Sequence, residues 1–379
     1  MLKPSCFPNV EQTSLLKACL LSGEPARQAW KHWTQIALEK KELVSFKLLP
    51  LASRNPDLDF PADPLLEKSK LLYRQTSMAN QLHWKKIVPI LHQLLQAGVS
   101  QIVLLKGMAM ILHYYRDFGV RTIGDIDLLI PRAELSIAGP LLRASGWKQT
   151  VSRFDLSKEE HLQQCHAMNF THPAGMNLDL HWSLIQENSP IIDQAVWGGI
   201  QQLPIKDIPL YIPNPTDLLL QACVHGAKYS PIPLIRWVAD AMTLLKHAEI
   251  DWDRLIHLGR RARICLPLST ILHYLAEEFA APIPPNVLQV LQAIPSLPLE
   301  HLEYRSNVRG SLDVAVWCRY CLNRGYLTLG QQILHTHKYL QTAARLKSLW
   351  QLPFFAIYWI CKRLYRRLFH RPPHKLYRT

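Results

Sequence analysis

Two aspartates two residues apart, in Gly124-Asp125-Ile126-Asp127-Leu128-Leu129-Ile130, are the strongest chemical signal in this chain of 379 residues. Alternate side chains of a strand share a face, so both carboxylates point the same way from an otherwise apolar segment. They repel each other and lose solvation there, which asks for a compensating cation. Hard oxygen ligands of this kind suit Mg²⁺, usually held by one or two carboxylates together with substrate phosphates. Upstream, the apolar run Ile102-Val103-Leu104-Leu105 ends at Lys106-Gly107 and passes into a helical pattern from Met108 to Tyr115. That order reads as strand, turn and helix. Gly107 lets the backbone approach a ligand closely, and the N–H groups of a helix start suit phosphate oxygens. Lys106 either reaches such oxygens as a point charge or is an exposed lysine at a strand end.

The elements around these residues must bring further groups to the same place. Pro131-Arg132-Ala133-Glu134 begins a helix that ends near Ser145-Gly146. Short β-type runs follow at Trp147 to Arg153, His166 to Thr171 and Met176 to Trp182. The last two are joined across Pro173-Ala174-Gly175, which reads as a hairpin. That hairpin brings the Asp179 strand into the sheet, where its carboxylate can join Asp125 and Asp127.

In combination these motifs resemble the polymerase-β-like nucleotidyltransferase superfamily: an apolar strand, a Gly-containing turn, a helix, then a strand carrying Asp-x-Asp. The closer resemblance is to the uncharacterised nucleotidyltransferase family. It is carried by Lys106-Gly107, Arg121, Asp125-Ile126-Asp127 and Leu178-Asp179-Leu180-His181-Trp182. It continues through Asp217-Leu218-Leu219-Leu220, His225-Gly226-Ala227-Lys228, Arg236-Trp237-Val238-Ala239-Asp240 and Asp251-Trp252, covering about residues 70 to 280. Lys106 and Met108 depart from the superfamily, many of whose members have Gly and a hydroxyl residue there.

The resemblance implies an α+β (mixed α/β) fold, a nucleotidyltransferase core with a mixed sheet flanked by helical regions. It implies metal-dependent transfer of a nucleoside monophosphate from a nucleoside triphosphate, ATP by default, to a hydroxyl or similar acceptor on an unidentified small molecule or protein. Asp125, Asp127 and Asp179 would hold Mg²⁺ (or Mn²⁺), with Asp179 as ligand to the catalytic metal or as base. Lys106, Gly107, Arg121 and Lys228 would bind the nucleotide. His181, His225, Arg236 and Asp240 are secondary candidates. Two other readings stay open: kinase-like γ-phosphoryl transfer on the same fold, and a non-catalytic nucleotide- or partner-binding module.

Read from the residues alone, His181 also fits a satisfied sheet histidine, and Arg121 either pairs with the acids or contacts a phosphate. His225 and Lys228 are one helical turn apart and share a face. The resemblance implies that with Arg236 and Asp240 they line the cleft from the helical side; the alternative is a buried structural Arg–Asp pair. Cys318-Arg319-Tyr320-Cys321 has the spacing of half a zinc site with no second pair following, and Trp317 and Tyr320 indicate a packed helix. His161, Cys165 and His166 read as a chance grouping among dispersed histidines.

With 48% apolar and 19% charged residues the chain is globular, not disordered. A net charge of +14 favours polyanions, so nucleotide, nucleic acid and anionic membrane all stay open as partners. The eight cysteines lack a regular framework, which fits reduced thiols of a cytoplasmic protein. No signal-peptide pattern opens the chain, and no stretch has the roughly 18 apolar residues of a spanning helix. Periodicity and breaks divide the chain into a helical region (1–100), an α/β part (101–212), a helical domain (213–295) and a C-terminal helical region (296–379); the resemblance implies that the second is the catalytic core and that the third closes the cleft. The N-terminal helices are expected at Val10 to Leu21, Ala26 to Lys41, Leu43 to Ala52 and Leu65 to Ala97.

Within the last region, Asp313 to Leu322 and Gln331 to Trp350 read as helical. Phe354 to His370 then combines an aromatic stripe with Lys362, Arg363, Arg366, Arg367 and nearby Arg371. This suits either an interfacial helix drawn to the inner membrane surface or a helix packed with its basic side in water. Sedimentation with anionic liposomes separates the two. An interfacial tail predicts salt-sensitive binding that is abolished when the residues after Gln351 are deleted; a packed tail predicts no binding by the full-length protein at low salt.

Overall fold

The structure is a computed structural model that describes residues 7–37, 41, 43–151, 154–163, 165–185, 189–205, 208–228, 235–310, 312–323, 349–351, 354, 357 and 361. Two short helices open the chain, α1 (Val10–Leu20) and α2 (Gly23–Gln35). Asn9 caps α1 through a reciprocal bond with Gln12. The Gly23-Glu24-Pro25 segment, expected as a break, is instead the first turn of α2. Proline costs nothing there because the first N–H groups of a helix have no partner within it. A 3-10 turn at Ser45–Leu48 leads into α3 (Leu49–Ala52) and then the long α4 (Pro64–Gln96). Asp63 caps α4 by accepting from the Leu65 and Leu66 amides, and Pro64 takes the first helical position.

The core follows as β1 (Ile102–Leu104), α5 (Lys106–Ala109), a π-helical stretch (Met110–Tyr115), β2 (Ile126–Leu129), α6 (Leu135–Ala144), β3 (Lys148–Gln149), α7 (Glu159–Leu162), β4 (Ala167–His172), β5 (Met176–His181), α8 (Pro190–Trp197), β6 (Gln201–Leu203) and β7 (Leu210–Ile212). Among the described residues seven strands form one sheet in the order β3-β4-β5-β2-β1-β7-β6. It is mixed: β5 runs parallel to β2 and β7 parallel to β1, while the remaining pairs are antiparallel. The expected hairpin forms with His172 opposite Met176. Pattern reading did not resolve β6, β7, α7 or α8. Strands of three residues and helices of four and eight are too short to establish a period.

The sheet separates two cores according to residue parity. Ile102, Leu104, Ile126, Leu128, Leu178 and Leu180 pack with Ile87, Leu91 and Leu94 of α4 and Leu135 and Leu142 of α6. Val103, Leu105 and Leu129 belong to the opposite core, with the helices that follow β7. Asp127, Asp179 and His181 fall on this second face because the side-chain period is two.

The later helices are α9 (Pro215–Gly226), α10 (Arg236–His247), α11 (Trp252–Arg261), α12 (Cys265–Phe279), α13 (Pro285–Ala293), α14 (Pro298–Val308) and α15 (Leu312–Asn323). Buried Asp217 ties α9 to α11 through a two-point pair with Arg254, at 3.0 and 2.8 Å. Among the described residues no helix is long and apolar enough to cross a membrane. The chain divides into two compact units, Met1–Val316 and Trp317–Thr379, and every candidate site residue lies in the first. Of the expected helix Gln331 to Trp350 only Leu349 and Trp350 are described, within a 3-10 turn at Leu349–Gln351. Of the tail only Phe354, Ile357 and Cys361 are described; the rest lies outside the described residues.

A Cβ on Gly226 would stand 2.4 Å from the Trp237 ring, so this glycine is what lets α10 dock against the end of α9. Gly226→Ala is expected to destabilise the protein by about 1–3 kcal/mol through overpacking, read as a lowered thermal unfolding midpoint.

Candidate active site

The register of β2 against β5 sets Asp127 directly beside Asp179 and Leu129 beside His181. In a parallel pair, residues in register point to the same side, so three polar groups converge on the face that looks towards α9 and α10. Among the described residues one group has metal-ligand spacing: Asp127, Asp179 and His181, whose ligand atoms all lie within 4.8 Å of one another. Asp125 stands just before β2, exposed at the mouth of the same cavity. That cavity, of about 340 Å³, is also lined by Lys106, Gly107, Arg121, Gln221, His225, Arg236, Trp237 and Asp240.

Each of the two sheet carboxylates is held by one oxygen. Asp127 Oδ1 accepts from Lys106 Nζ at 2.6 Å and from His181 Nε2 at 2.9 Å. Asp179 Oδ1 accepts from Asn169 Nδ2, the residue opposite it across the β4–β5 hairpin. Among the described residues Asp127 Oδ2 takes no hydrogen bond. An ionised carboxylate only accepts, so the His181 hydrogen sits on Nε2. Among the described residues its buried Nδ1 has no hydrogen-bond partner. As a hydrogen-bond donor to Asp127, His181 acts here by fixing that carboxylate, and direct ligation through Nε2 requires the other tautomer.

Electrostatics separate the three acids. Burial alone would raise Asp127, but Lys106 and His181 more than offset it and hold its carboxyl well below the usual range. Asp125 is raised, because the cleft strips water from it and Asp127 repels it, against the opposing pull of Lys106, Arg236 and Arg121. Asp179 is raised by burial and then by the charges of Asp127 and Asp125. Two unit charges no more than 4.8 Å apart repel by at least about 3.5 kcal/mol at an effective dielectric of about 20. With oxygens left over and mutual repulsion unrelieved, this donor set fits a divalent cation such as Mg²⁺ or Mn²⁺.

The basic residues lie differently from a simple phosphate cradle. Lys106, in the left-handed region at φ 42°, turns its ammonium onto Asp127. Arg121 makes a two-point pair with Asp240, Nε to Oδ1 at 2.8 Å and Nη2 to Oδ2 at 2.7 Å, and Tyr115 donates to the same Oδ1 at 3.2 Å. An Arg–Asp pair does form in the cleft wall, and Asp240's partner is Arg121, not Arg236. A Cβ on Gly107 would lie 2.4 Å from Arg121 Nη1, so the glycine makes room for this guanidinium. Arg236 Nη1 instead donates to the Thr122 carbonyl. His225 lines the cavity, but α9 ends at Gly226 with Ala227 as its cap. Lys228 therefore falls beyond the helix and does not line the cavity.

Two contributors were missed in the sequence. Asn169 was readable from the hairpin, since His172 opposite Met176 puts position 169 opposite 179. Asn80 was not. From the middle of α4 it donates to the Phe118 and Arg121 carbonyls, each at 2.7 Å, and so fixes the loop that carries Arg121. His166, read as part of a chance grouping, places its ring edge-on to His181 with centroids 5.3 Å apart. His161 is used locally, its Nδ1 accepting from the Asp155 amide.

The sequence profile of the uncharacterised nucleotidyltransferases matches residues 35–280, about two thirds of the chain and all of the residues just described. The chain belongs to this family. Searches of the curated proteins and of the solved structures gave no match. The family's name indicates nucleotidyltransferase activity, and Asp127, Asp179 and His181 form a possible metal site.

The opposite shifts give opposite stability effects. Raised acids make the folded protein bind more protons than the unfolded chain above the ordinary carboxylate range, so Asp125 and Asp179 weaken the fold as pH rises, and the deficit remains at neutral pH. Asp127 contributes stability above that range, lost as pH falls through its depressed value. At pH 7 without metal, Asp125→Asn and Asp179→Asn are expected to raise the unfolding midpoint. Asp127→Asn is expected to cost about 2 kcal/mol. Thermal unfolding in chelator at pH 7 and pH 4 checks this; equal effects of the three substitutions at pH 7 would count against it.

Proposed function

We propose that the protein transfers a nucleoside monophosphate from a nucleoside triphosphate, ATP by default, to a hydroxyl or similar acceptor on a small molecule or protein. The observation that carries this is the convergence of Asp125, Asp127 and Asp179 on one cavity in a chain of this family. Two Mg²⁺ (or Mn²⁺) would supply activation of the attacking oxygen and stabilisation of the leaving pyrophosphate. Asp125 and Asp127 would hold both ions and Asp179 the catalytic one. Lys106, His181 and Asn169 orient two of these carboxylates so that one oxygen of each is turned to the cavity. Arg121 with Asp240 braces the wall beside Gly107. Placement of charge and exclusion of water are most of what phosphoryl chemistry asks of a protein.

The cavity volume of about 340 Å³ lies at the small end of ligand pockets, which span about 300–1,000 Å³. It is suited to a phosphate chain with its cations more than to a whole nucleotide and acceptor. Buried thiols at Cys19, Cys223 and Cys265 support a cytoplasmic setting. Contact of the basic tail with an anionic membrane is proposed from the sequence alone.

Incubation with α-labelled and, separately, γ-labelled ATP and Mg²⁺, with candidate acceptors including the protein itself, is expected to leave label in the acceptor only from the α position. Chelator and each of Asp125→Asn, Asp127→Asn and Asp179→Asn are expected to reduce transfer at least about a hundredfold. Transfer of the γ label would instead establish a kinase-like reaction. Metal-dependent nucleotide binding without transfer of either label to any acceptor would favour a binding module.

A further inference from the structure

We propose that Arg236 is the residue that binds the phosphate chain of the donor, or the pyrophosphate that leaves, from the helical wall of the cavity. This rests on the nucleotidyl-transfer reading and assigns the phosphate contact to a residue other than Lys106, Gly107 or Arg121.

Lys106 Nζ sits on Asp127 at 2.6 Å, and Arg121 is engaged at two points by Asp240. Each already compensates a buried carboxylate, so a phosphate would have to share it with Asp127 or Asp240. Arg236 has a different environment. Its hydrogen bond among the described residues is to the Thr122 carbonyl, through Nη1, and it makes no ion pair there. A guanidinium carries five N–H donors, so most of this fork is unspent.

Position and charge agree with that vacancy in its bonding. Arg236 is the first residue of α10, and the next residue, Trp237, packs its ring against Gly226 of α9, so the base of the side chain is fixed. Burial, and then the charge of Arg121, disfavour its protonated form, which an arriving anion would relieve. Across the cavity stand Asp125, Asp127 and Asp179. A cavity with these carboxylates on one wall and, on the other, a guanidinium that makes no ion pair among the described residues complements a cation–anion pair: the metal on the acids, its phosphate oxygens on Arg236. Guanidinium matches phosphate geometry in a fork that an ammonium cannot reproduce.

The test uses the full chain and inorganic tripolyphosphate, measured by calorimetry with Mg²⁺, alongside Mn²⁺ binding alone by electron paramagnetic resonance. Arg236→Gln is expected to weaken tripolyphosphate at least about tenfold, as fits loss of a charge-assisted contact, and to leave Mn²⁺ affinity within about twofold. Arg236→Lys keeps the cation, loses the fork, and is expected to fall between. A purely structural tie to Thr122 would lower the unfolding midpoint without this selective loss. Wild-type tripolyphosphate affinity in either folded variant overturns the assignment and leaves nucleotidyl transfer standing. A wild-type protein that binds Mn²⁺ but no tripolyphosphate with Mg²⁺ overturns both.

Discussion

Three carboxylates that repel one another across a few ångströms are the constraint around which this protein is built. The sheet forces Asp127 and Asp179 together, since β2 and β5 pair in parallel with those two residues in register. Asp125, before the start of β2, adds its charge from the mouth of the cavity. Nothing apolar could hold such a cluster, and a wet cluster would not have a defined shape. The protein resolves this by spending one oxygen of Asp127 on Lys106 and His181 and one of Asp179 on Asn169. The carboxylates are thereby fixed in direction while their repulsion is only partly relieved. A site left in that condition favours a cation in the cavity over water. Such unrelieved charge lowers the stability of the fold.

The second layer of the design is a chain of contacts running outward from Arg121. Its guanidinium lies against Gly107 and on Asp240, Asp240 also receives Tyr115, and the Arg121 carbonyl is held by Asn80 of α4. One side chain thus ties together the turn after β1, the π-helical segment, α10 and the long N-terminal helix. The π-helical segment suits that task because an irregular turn re-aims the side chains that follow it, and such segments are frequent at functional sites. The same loop is braced from α4 a second time, where the Tyr73 ring fills the space beside Gly119 and its hydroxyl meets Asp117. Helix α4 looked in the sequence like plain packing. Its chemical contribution is indirect and consists of hydrogen bonds to the backbone of a loop.

Much of this was present in the amino-acid sequence by itself. The alternation of Asp127 with apolar neighbours determined a strand with that acid on one side, but Asp125, expected on the same strand, stands just before it. The Leu178-Asp179-Leu180-His181 pattern determined the same for Asp179 and His181, and the Pro173-Ala174-Gly175 turn determined the hairpin, hence the Asn169 contact. These are local effects, set by the period-two geometry of a strand and by turn chemistry. The mixed α+β architecture followed from the change of period along the chain and from family resemblance.

Only the tertiary structure decided which partner each charge found. Whether Arg121 meets a phosphate, the sheet acids or Asp240 depends on where α10 packs relative to a loop 119 residues away in sequence. Lys106 could serve a ligand or Asp127, and the outcome turns on a left-handed backbone at that residue and on the antiparallel β1–β2 pairing. The place of Asp127 beside Asp179 needs a parallel pairing between strands about fifty residues apart. Long-range pairing of this kind leaves no trace in local periodicity, because a strand's pattern records which face is buried and not which neighbour buries it.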